Sequence, residues 1–410
     1  MTAPPPPPRG ATGVVLALGT AQTLAWASSY YLPAILAGPM ARDLGLSPSW
    51  VFGAFSAALV LSALLGPAVG RAIDARGGRG VLALSNLVLA AGLALLAAAQ
   101  GPAAMAVAWM VLGVGMAMGL YDAAFATLAG LYGRAARGPI TGITLIAGFA
   151  STVGWPLSAL LDEAFGWRGA CLVWAGLHVA LGLPLNRLFL PPAPPPERAA
   201  AAAAEEGDDA PPPPRFAMAL LAFVFAATWF VTGAMAAHLP ALLQAAGAAP
   251  AAAVAAAALV GPAQVAARLA EFGLLRRFHP LVSARLAALG HPLGAAALAA
   301  IGGPAAAVFA VLHGMGNGVL TIAKGTLPLA VFGPAGYGAR QGLLAAPARL
   351  LQATAPFAFG LLLEAAGVGA ALALSSALSL AALAALLALR AAPAGAPRAR
   401  PAPPDRMGAR

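Results

Sequence analysis

The chain has 410 residues, of which 61% are hydrophobic and only 9% are charged. Soluble domains carry about 25% charged residues, so this composition excludes a soluble globular protein and indicates a polytopic membrane protein. The formal net charge of +10 comes from arginines in short clusters between apolar runs, without a zinc-finger or RNA-binding signature, so we expect no nucleic-acid partner. The single cysteine, Cys171, excludes an internal disulfide and a cysteine-based metal cluster.

Apolar stretches of about 20 residues, the length of a membrane-spanning helix, recur along the chain after a proline-rich lead at residues 1–12. The lead is predicted to be disordered. No cleavage-site pattern closes the first apolar stretch, so we expect it to remain as an uncleaved helix. Twelve spans are predicted near residues 13–37, 50–70, 81–99, 103–131, 139–161, 169–190, 216–245, 250–275, 281–301, 304–333, 340–365 and 368–390.

A stretch rich in proline, alanine and acidic residues, 191–215, separates the sixth span from the seventh. This composition predicts a solvated linker between two halves, residues 13–190 and residues 216–390, with a disordered tail at residues 391–410. The predicted fold class is therefore an all-α membrane protein of twelve transmembrane helices in two six-helix halves.

Arginines are distributed unequally between the two ends of the predicted spans. The loops opposite the linker contain only Arg42 and Arg168. Cytoplasmic loops carry the excess of basic residues, so we predict that the linker and both termini are cytoplasmic, in a bacterial-type inner membrane. The arginines on the linker side, besides those of the tail, are Arg71, Arg76, Arg79, Arg134, Arg137, Arg187, Arg198, Arg215, Arg276, Arg277, Arg285 and Arg340.

The two halves repeat each other weakly in sequence. Residues 115–128, GMAMGLYDAAFATL, align without gaps on residues 314–327, GMGNGVLTIAKGTL. Internal repeats of this kind are typical of transporters built by duplication. The alignment makes the fourth and tenth spans equivalent.

The tenth span carries the only lysine of the chain, Lys324. Its spacing from His313, Asn317 and Thr321 places the four residues on one side of a helix, which predicts one polar stripe along an apolar helix. An ammonium group at this depth in a membrane is costly unless it faces a polar cavity. The stripe therefore predicts a cavity-lining surface, with polar helix packing as the alternative.

Other polar residues in the spans are candidates to line the same cavity. Asp122 is the sole acid deep in the first half, and we expect it to approach Lys324 as a proton-sensitive pair or as a structural ion pair. Arg268 either binds the substrate or pairs with Glu271, three residues further on. The predicted proton-coupling residues are Asp122 and Lys324, and the predicted substrate-binding residues are Lys324, Arg349, Asn317, Gln22, Trp26, Gln352 and Arg268.

The loop after the second span, residues 70–79, reads GRAIDARGGR. It resembles the G-x-x-x-D-[RK]-x-G-[RK]-[RK] signature of the major facilitator superfamily, although Ala75 and Gly78 replace two of the expected basic residues. The resemblance implies transport of a small solute by alternating access. Asp74 is expected to cap a neighbouring helix N-terminus or to pair with an arginine. The resemblance assigns a gating role to Gly70, Asp74, Arg76, Gly77 and Arg79.

Within that superfamily the chain is weakly similar to the monocarboxylate transporters and the oxalate/formate antiporters, at Tyr132, Arg137 and Gly142. Ala135 and Ala136 replace the Lys-Arg pair of the monocarboxylate pattern, so the substrate does not transfer. The GxxxGPxxGG run of proton-drug antiporters does not occur in the fifth span, which disfavours drug efflux.

We therefore expect a secondary active transporter, not an enzyme, for a small organic anion such as a carboxylate, coupled to protons. The alternatives are proton-driven efflux of drugs or toxic metabolites, or a non-transporting receptor or scaffold on the same fold. No cofactor or metal is expected, because the histidines lack metal-ligand spacing. The expected partners are the substrate, the lipid bilayer and protons, and the protein is expected to be a monomer.

The topology predicts that a reporter inserted in the linker, for example after residue 205, stays on the cytoplasmic side. An impermeant reagent added to intact cells should leave it unlabelled and should label it after the cells are opened. Labelling in intact cells would contradict both the topology and the division into two halves.

Overall fold

The structure is a computed structural model that describes residues 11–192, 215–274 and 277–389. Within these ranges the chain is almost entirely helical and contains no β-strand. Residues 1–10 of the predicted lead, residues 193–214 of the predicted linker and the predicted tail lie outside the described residues. The last two residues of the predicted lead, Ala11 and Thr12, belong to the first helix instead.

The N-terminal half consists of α1 (Ala11–Ala25), α2 (Pro33–Asp43), α3 (Pro48–Arg76), α4 (Gly78–Ala98), α5 (Pro102–Gly119), α6 (Tyr121–Tyr132), α7 (Arg137–Ala147), α8 (Ala150–Leu177) and α9 (Leu183–Leu188). A π-helical turn at Trp26–Tyr30 follows α1 and leads to α2, and another at His178–Gly182 joins α8 to α9. Each predicted span of this half is therefore built from one helix or from two consecutive pieces.

The C-terminal half consists of α10 (Arg215–Ala245), α11 (Pro250–Ala258), α12 (Val260–Gly273), α13 (Pro280–Ile301), α14 (Ala306–Phe332) and α15 (Tyr337–Ala388). Helix α15 contains two predicted spans, which meet at Gly367, where φ is 76°. Helix α8 likewise turns at Gly166, where φ is 68°. Glycine has no Cβ and adopts this left-handed backbone without steric penalty, so it ends one span and starts the next.

Eight segments of the described residues are each long and apolar enough to cross a membrane. They contain the second, third, fourth, sixth, seventh, ninth, tenth and twelfth predicted spans. The first, fifth and eighth spans are interrupted, at Trp26–Tyr30, at Gly148–Phe149 and at Leu259. The eleventh span forms the part of α15 before Gly367 and is not among the eight. The helices fit the predicted all-α fold of two halves.

Each half has its own apolar core. In the N-terminal half the fully buried side chains include Trp109 and Leu93, and in the C-terminal half they include Phe309 and Phe359. On the outside of the helices many leucines are exposed, such as Leu64. A broad exposed apolar surface on long helices is suited to lipid, because lipid imposes no cost on it.

The two halves pack closely at the linker end, where α3 of the first half lies against α15 of the second. Glycines permit this approach. A Cβ added to Gly342 would lie 2.5 Å from the carbonyl oxygen of Gly66, and one added to Gly70 would overlap the carbonyl of Gly338. The signature loop therefore begins at a backbone contact between the halves.

Asp74 caps the N-terminus of α15. Its Oδ1 accepts a hydrogen bond from the Gly338 N–H and its Oδ2 accepts one from the Ala339 N–H, each at 2.8 Å. This is one of the two roles expected from the sequence, and it places a carboxylate at the positive end of a helix dipole in the opposite half.

The other residues of the signature stay within the first half. Gly77 turns the chain from α3 into α4 with φ of 78°, and Arg79 donates a hydrogen bond to the carbonyl of Arg187 at 2.9 Å. Arg76 is exposed.

A second contact between the halves joins Arg137, at the start of α7, to the end of α12. Arg137 forms an ion pair with Glu271 at 2.9 Å and donates to the carbonyl of Phe278 at 2.6 Å. Beside it, burial and the charges of Arg137 and Arg285 lower the pKa of His279 below its ordinary value. A neutral His279 can accept the hydrogen bond from the Leu281 N–H that caps α13.

The glycine contact predicts that Gly70→Ala separates α3 from α15 at the linker end. Gly66→Ala is the matched control, because the nearest atoms to its Cβ lie 3.6 Å away, an ordinary contact distance. With Cys171 replaced by serine, spin labels at the exposed positions Arg76 and Ala335 report the distance between the halves. We expect longer distances in Gly70→Ala and unchanged distances in Gly66→Ala. Equal distance distributions in both would show that the glycine contact does not hold the halves together.

Candidate substrate and proton site

The site is organised by a break in the fourth span. Helix α5 ends at Gly119, Leu120 is extended with ψ of −174°, and α6 starts at Tyr121. Asp122 therefore lies in the first turn of a helix, where the helix dipole stabilises a carboxylate. The equivalent stretch of the second half runs unbroken through α14, so the repeat is not exact at this point.

Asp122 is bound by two cations from the other half. Its Oδ1 lies 3.0 Å from the Lys324 Nζ, and its Oδ2 lies 2.6 Å from the Arg349 Nη2. Gln341 donates to Oδ1 at 3.0 Å, and Arg349 also donates to the hydroxyl of Ser62. The expected approach of Asp122 to Lys324 is present, but both of the cations expected to hold the substrate are occupied by Asp122.

The three charged side chains of this cluster are nearly inaccessible, with exposed fractions of 7% for Lys324, 9% for Asp122 and 11% for Arg349. Removing one partner from a buried ion pair typically costs about 3–5 kcal/mol, because the other charge is left uncompensated. Lys324 also lies 4.9 Å from the centre of the Trp229 ring, a cation–π contact. With one anion and two cations, the cluster has a formal charge of +1.

A small cavity adjoins the cluster between α3, α6 and α15. Ser62, Asp122 and Arg349 supply its polar lining, and the glycines of the contact between the halves supply much of the rest. The cluster therefore lies directly on the surface where the two halves meet.

Arg268 on α12 is a further buried cation, but its partners are neutral. Its guanidinium donates to the carbonyl of Gly318 at 3.5 Å, to the carbonyl of Thr144 at 3.4 Å and to the side chain of Gln264 at 3.3 Å, all long hydrogen bonds. The predicted alternative of a pair with Glu271 is wrong, because Glu271 binds Arg137 across the halves.

The described part of the chain places no carboxylate within 4.0 Å of Arg268. The interruption of the fifth span makes room for this side chain, since a Cβ on Gly148 would overlap the guanidinium. Arg268 is therefore a buried positive charge held by neutral groups at the contact between the halves.

Three further predicted residues lie on the first and eleventh spans. Trp26 belongs to the π-helical turn and lies 4.9 Å from the Tyr121 ring. Gln22, one turn earlier, donates to the carbonyl of Gly119 at 2.6 Å, at the break of the fourth span. Gln352 donates to the hydroxyl of Tyr30 at 2.7 Å and so connects the two halves.

The predicted polar stripe of the tenth span does not face one cavity. His313 forms a hydrogen bond with His291 through the two Nδ1 atoms at 3.0 Å, and Asn317 accepts one from Thr232 at 2.9 Å. These residues line a small cavity inside the C-terminal half. Only the end of the stripe at Lys324 reaches Asp122, because Lys324 lies about 16 Å along the helix from His313 and therefore meets different neighbours.

Sequence reasoning missed several residues that complete the site. Gln341 was detectable, because it lies eight residues before Arg349 and so shares its helix face. Ser62, Trp229 and Tyr121 gave no such signal, since serines and aromatic residues are common in apolar spans.

A comparison of the sequence with models of protein families identifies the family of this chain. The sequence model of the Major Facilitator Superfamily matches residues 18–309. The chain belongs to this family of transporters. Its members are not enzymes, in agreement with the prediction, and as a member the chain is a multi-pass protein of the lipid bilayer. A comparison with curated proteins found no match.

Solved structures of the Major Facilitator Superfamily share the fold. The human organic anion transporter MFSD10 (TETRAN) has a TM-score of 0.72 and 20% sequence identity, over 93% of this chain and 100% of that chain. FucP in the outward conformation has a TM-score of 0.67 and 14% identity, over 92% and 99% of the two chains. The proton:xylose symporter XylE has a TM-score of 0.68 and 13% identity, over 91% and 94%. At these identities the likeness establishes the fold and not the substrate.

Proposed function

We propose that this transporter moves a small organic anion, with a carboxylate as its charged group, together with protons by alternating access. The observation that carries the proposal is Arg268, a buried cation at the contact between the halves with only neutral partners. A buried charge without a counterion is costly, so a bound anion would be strongly favoured there. An arginine binds a carboxylate through two parallel hydrogen bonds.

The Asp122 cluster supports coupling to protons. Asp122 is the anion that offsets Lys324 and Arg349. A proton on Asp122 would raise the summed formal charge of Asp122, Lys324, Arg349 and Arg268 from +2 to +3, and a carboxylate bound at Arg268 would return it to +2. Binding of the proton and binding of the anion therefore favour each other, as symport requires.

The contacts between the halves support an alternating-access cycle. Asp74 and the glycines of α3 hold the linker end closed, and Asp122 joins the two halves further inside. Neutralising Asp122 would remove two ion pairs between the halves and leave the capping contact of Asp74. In the proposed cycle this change permits the two halves to rotate relative to each other about the site.

The alternative of proton-driven efflux of drugs or toxic metabolites requires the proton and the compound to bind in turn, whereas the charges around Asp122 favour binding of a proton and an anion together. MFSD10 is described as an organic anion transporter, and FucP and XylE as proton symporters. These descriptions agree with the proposed class of reaction. A monomer in the cell membrane, with both termini cytoplasmic, completes the proposal.

Arg268→Gln should reduce carboxylate transport at least about tenfold, because hydrogen bonds to a charged group contribute about 1.5–3 kcal/mol. The measurement is uptake of radiolabelled acetate, lactate, benzoate and succinate into proteoliposomes with an imposed pH gradient. Arg277→Gln, on the exposed loop, is the matched control and should leave uptake unchanged. Equal uptake by wild type and Arg268→Gln would exclude Arg268 as the anion site.

Asp122→Asn should retain carboxylate exchange between equal concentrations and lose accumulation against a gradient. The amide keeps the shape of the carboxylate but cannot bind the coupled proton. The measurement compares exchange with pH-driven uptake in the same proteoliposomes. An Asp122→Asn protein that still accumulates substrate with wild-type dependence on pH would remove Asp122 from the coupling mechanism.

A further inference from the structure

Aromatic side chains gather on one side of the proposed anion site. Trp26 lies 5.1 Å from the Tyr30 ring, 6.1 Å from the Tyr31 ring and 4.9 Å from the Tyr121 ring, measured between ring centres. Trp26, Tyr30 and Tyr31 are only partly buried, although they lie on a helix inside the bundle. Each of these residues therefore keeps some accessible surface.

This group of rings adjoins Arg268. Arg268 donates to the carbonyl of Thr144 on α7 at 3.4 Å. Ile146, on the same helix, accepts a hydrogen bond from Thr23 at 3.5 Å, and Thr23 lies one turn before Trp26. The rings come from the first half, whereas Arg268 comes from the second. A ligand that touched the guanidinium and the rings together would therefore contact both halves.

Polar atoms beside the rings have no partner among the residues that the structure describes. The Nε1 of Trp26 is buried without a hydrogen-bond acceptor, and the Oε1 of Gln22, one turn earlier, is buried without a donor. A buried polar group left without a partner costs about 1–3 kcal/mol. A ligand with an acceptor near Trp26 would remove one of these costs.

We infer that the transported anion is an aromatic carboxylate. This inference rests on the proposed function. The carboxylate binds Arg268, the ring packs against Trp26, Tyr30 and Tyr31, and the Trp26 indole N–H donates to an oxygen of the substrate. The hydrogen bond from Gln352 to the Tyr30 hydroxyl holds this ring in place from the second half.

The test compares radiolabelled benzoate with cyclohexanecarboxylate and acetate in proteoliposomes. Cyclohexanecarboxylate has the same charge and a ring of similar size, but no π-system. Aromatic pairs contribute about 0.5–1.5 kcal/mol beyond the area they bury, so benzoate should be preferred over cyclohexanecarboxylate by about fivefold in competition.

Trp26→Leu should abolish this preference, measured as the ratio of benzoate to cyclohexanecarboxylate transport by the same protein, and Trp26→Phe should retain part of it. Trp50→Leu, at the far end of α3, should keep the wild-type preference. As a second measurement, benzoate should raise the Tm of the solubilised wild-type protein more than cyclohexanecarboxylate does.

Equal transport and equal Tm shifts with benzoate and cyclohexanecarboxylate would overturn the inference and leave the proposed function standing. Preference for benzoate that survives in Trp26→Leu would also overturn it. Absence of transport of every carboxylate would overturn the proposed function, and the inference with it.

Discussion

The structure depends on one buried carboxylate that binds two cations across the contact between its halves. Ionised groups at this depth are costly unless their charges are offset locally or hydrogen-bonded, and Asp122 offsets both Lys324 and Arg349. Several local features serve this arrangement. The break at Leu120 places Asp122 at a helix N-terminus, and Gln341 supplies a further donor to the carboxylate.

The same constraint explains why the buried cations differ in their availability to a substrate. Lys324 and Arg349 have a protein anion, so they are available to a substrate only when Asp122 is neutral. Arg268 has neutral partners in the described structure and is available throughout the proposed cycle. Because Asp122 belongs to the first half and all three cations to the second, proton binding and movement of the halves act on the same contacts.

The fold could be predicted from the sequence because it follows from apolar length, glycine and proline positions and the repeat. Capping by Asp74 was also predictable as one of two roles, since a carboxylate near a helix start has few alternatives. The partner of Glu271 was not predictable. Local spacing favoured Arg268, three residues away, whereas the actual partner, Arg137, lies 134 positions earlier in the chain. Sequence spacing gives neighbours on one helix and gives no distances between helices.

The prediction that the polar stripe of the tenth span lines one cavity was wrong for a related reason. The period of the stripe fits one helix face, but α14 packs against several helices, and each turn of the stripe meets a different neighbour. His313 and Asn317 therefore find partners within the second half, while Lys324 meets Asp122. The break at Leu120 could not be predicted either. Residues 119–122, GLYD, align without gaps on residues of the second half that lie within an unbroken helix.

The central claim is that an anion and a proton bind together because Asp122 offsets the charges of Lys324 and Arg349. Proton uptake during ligand binding tests it most directly, with benzoate or acetate added to the solubilised protein in a weakly buffered solution that contains a pH indicator. The account predicts uptake of about one proton for each carboxylate bound by the wild-type protein, and none by Asp122→Asn. Carboxylate binding without proton uptake in the wild type, or with undiminished uptake in Asp122→Asn, would contradict it.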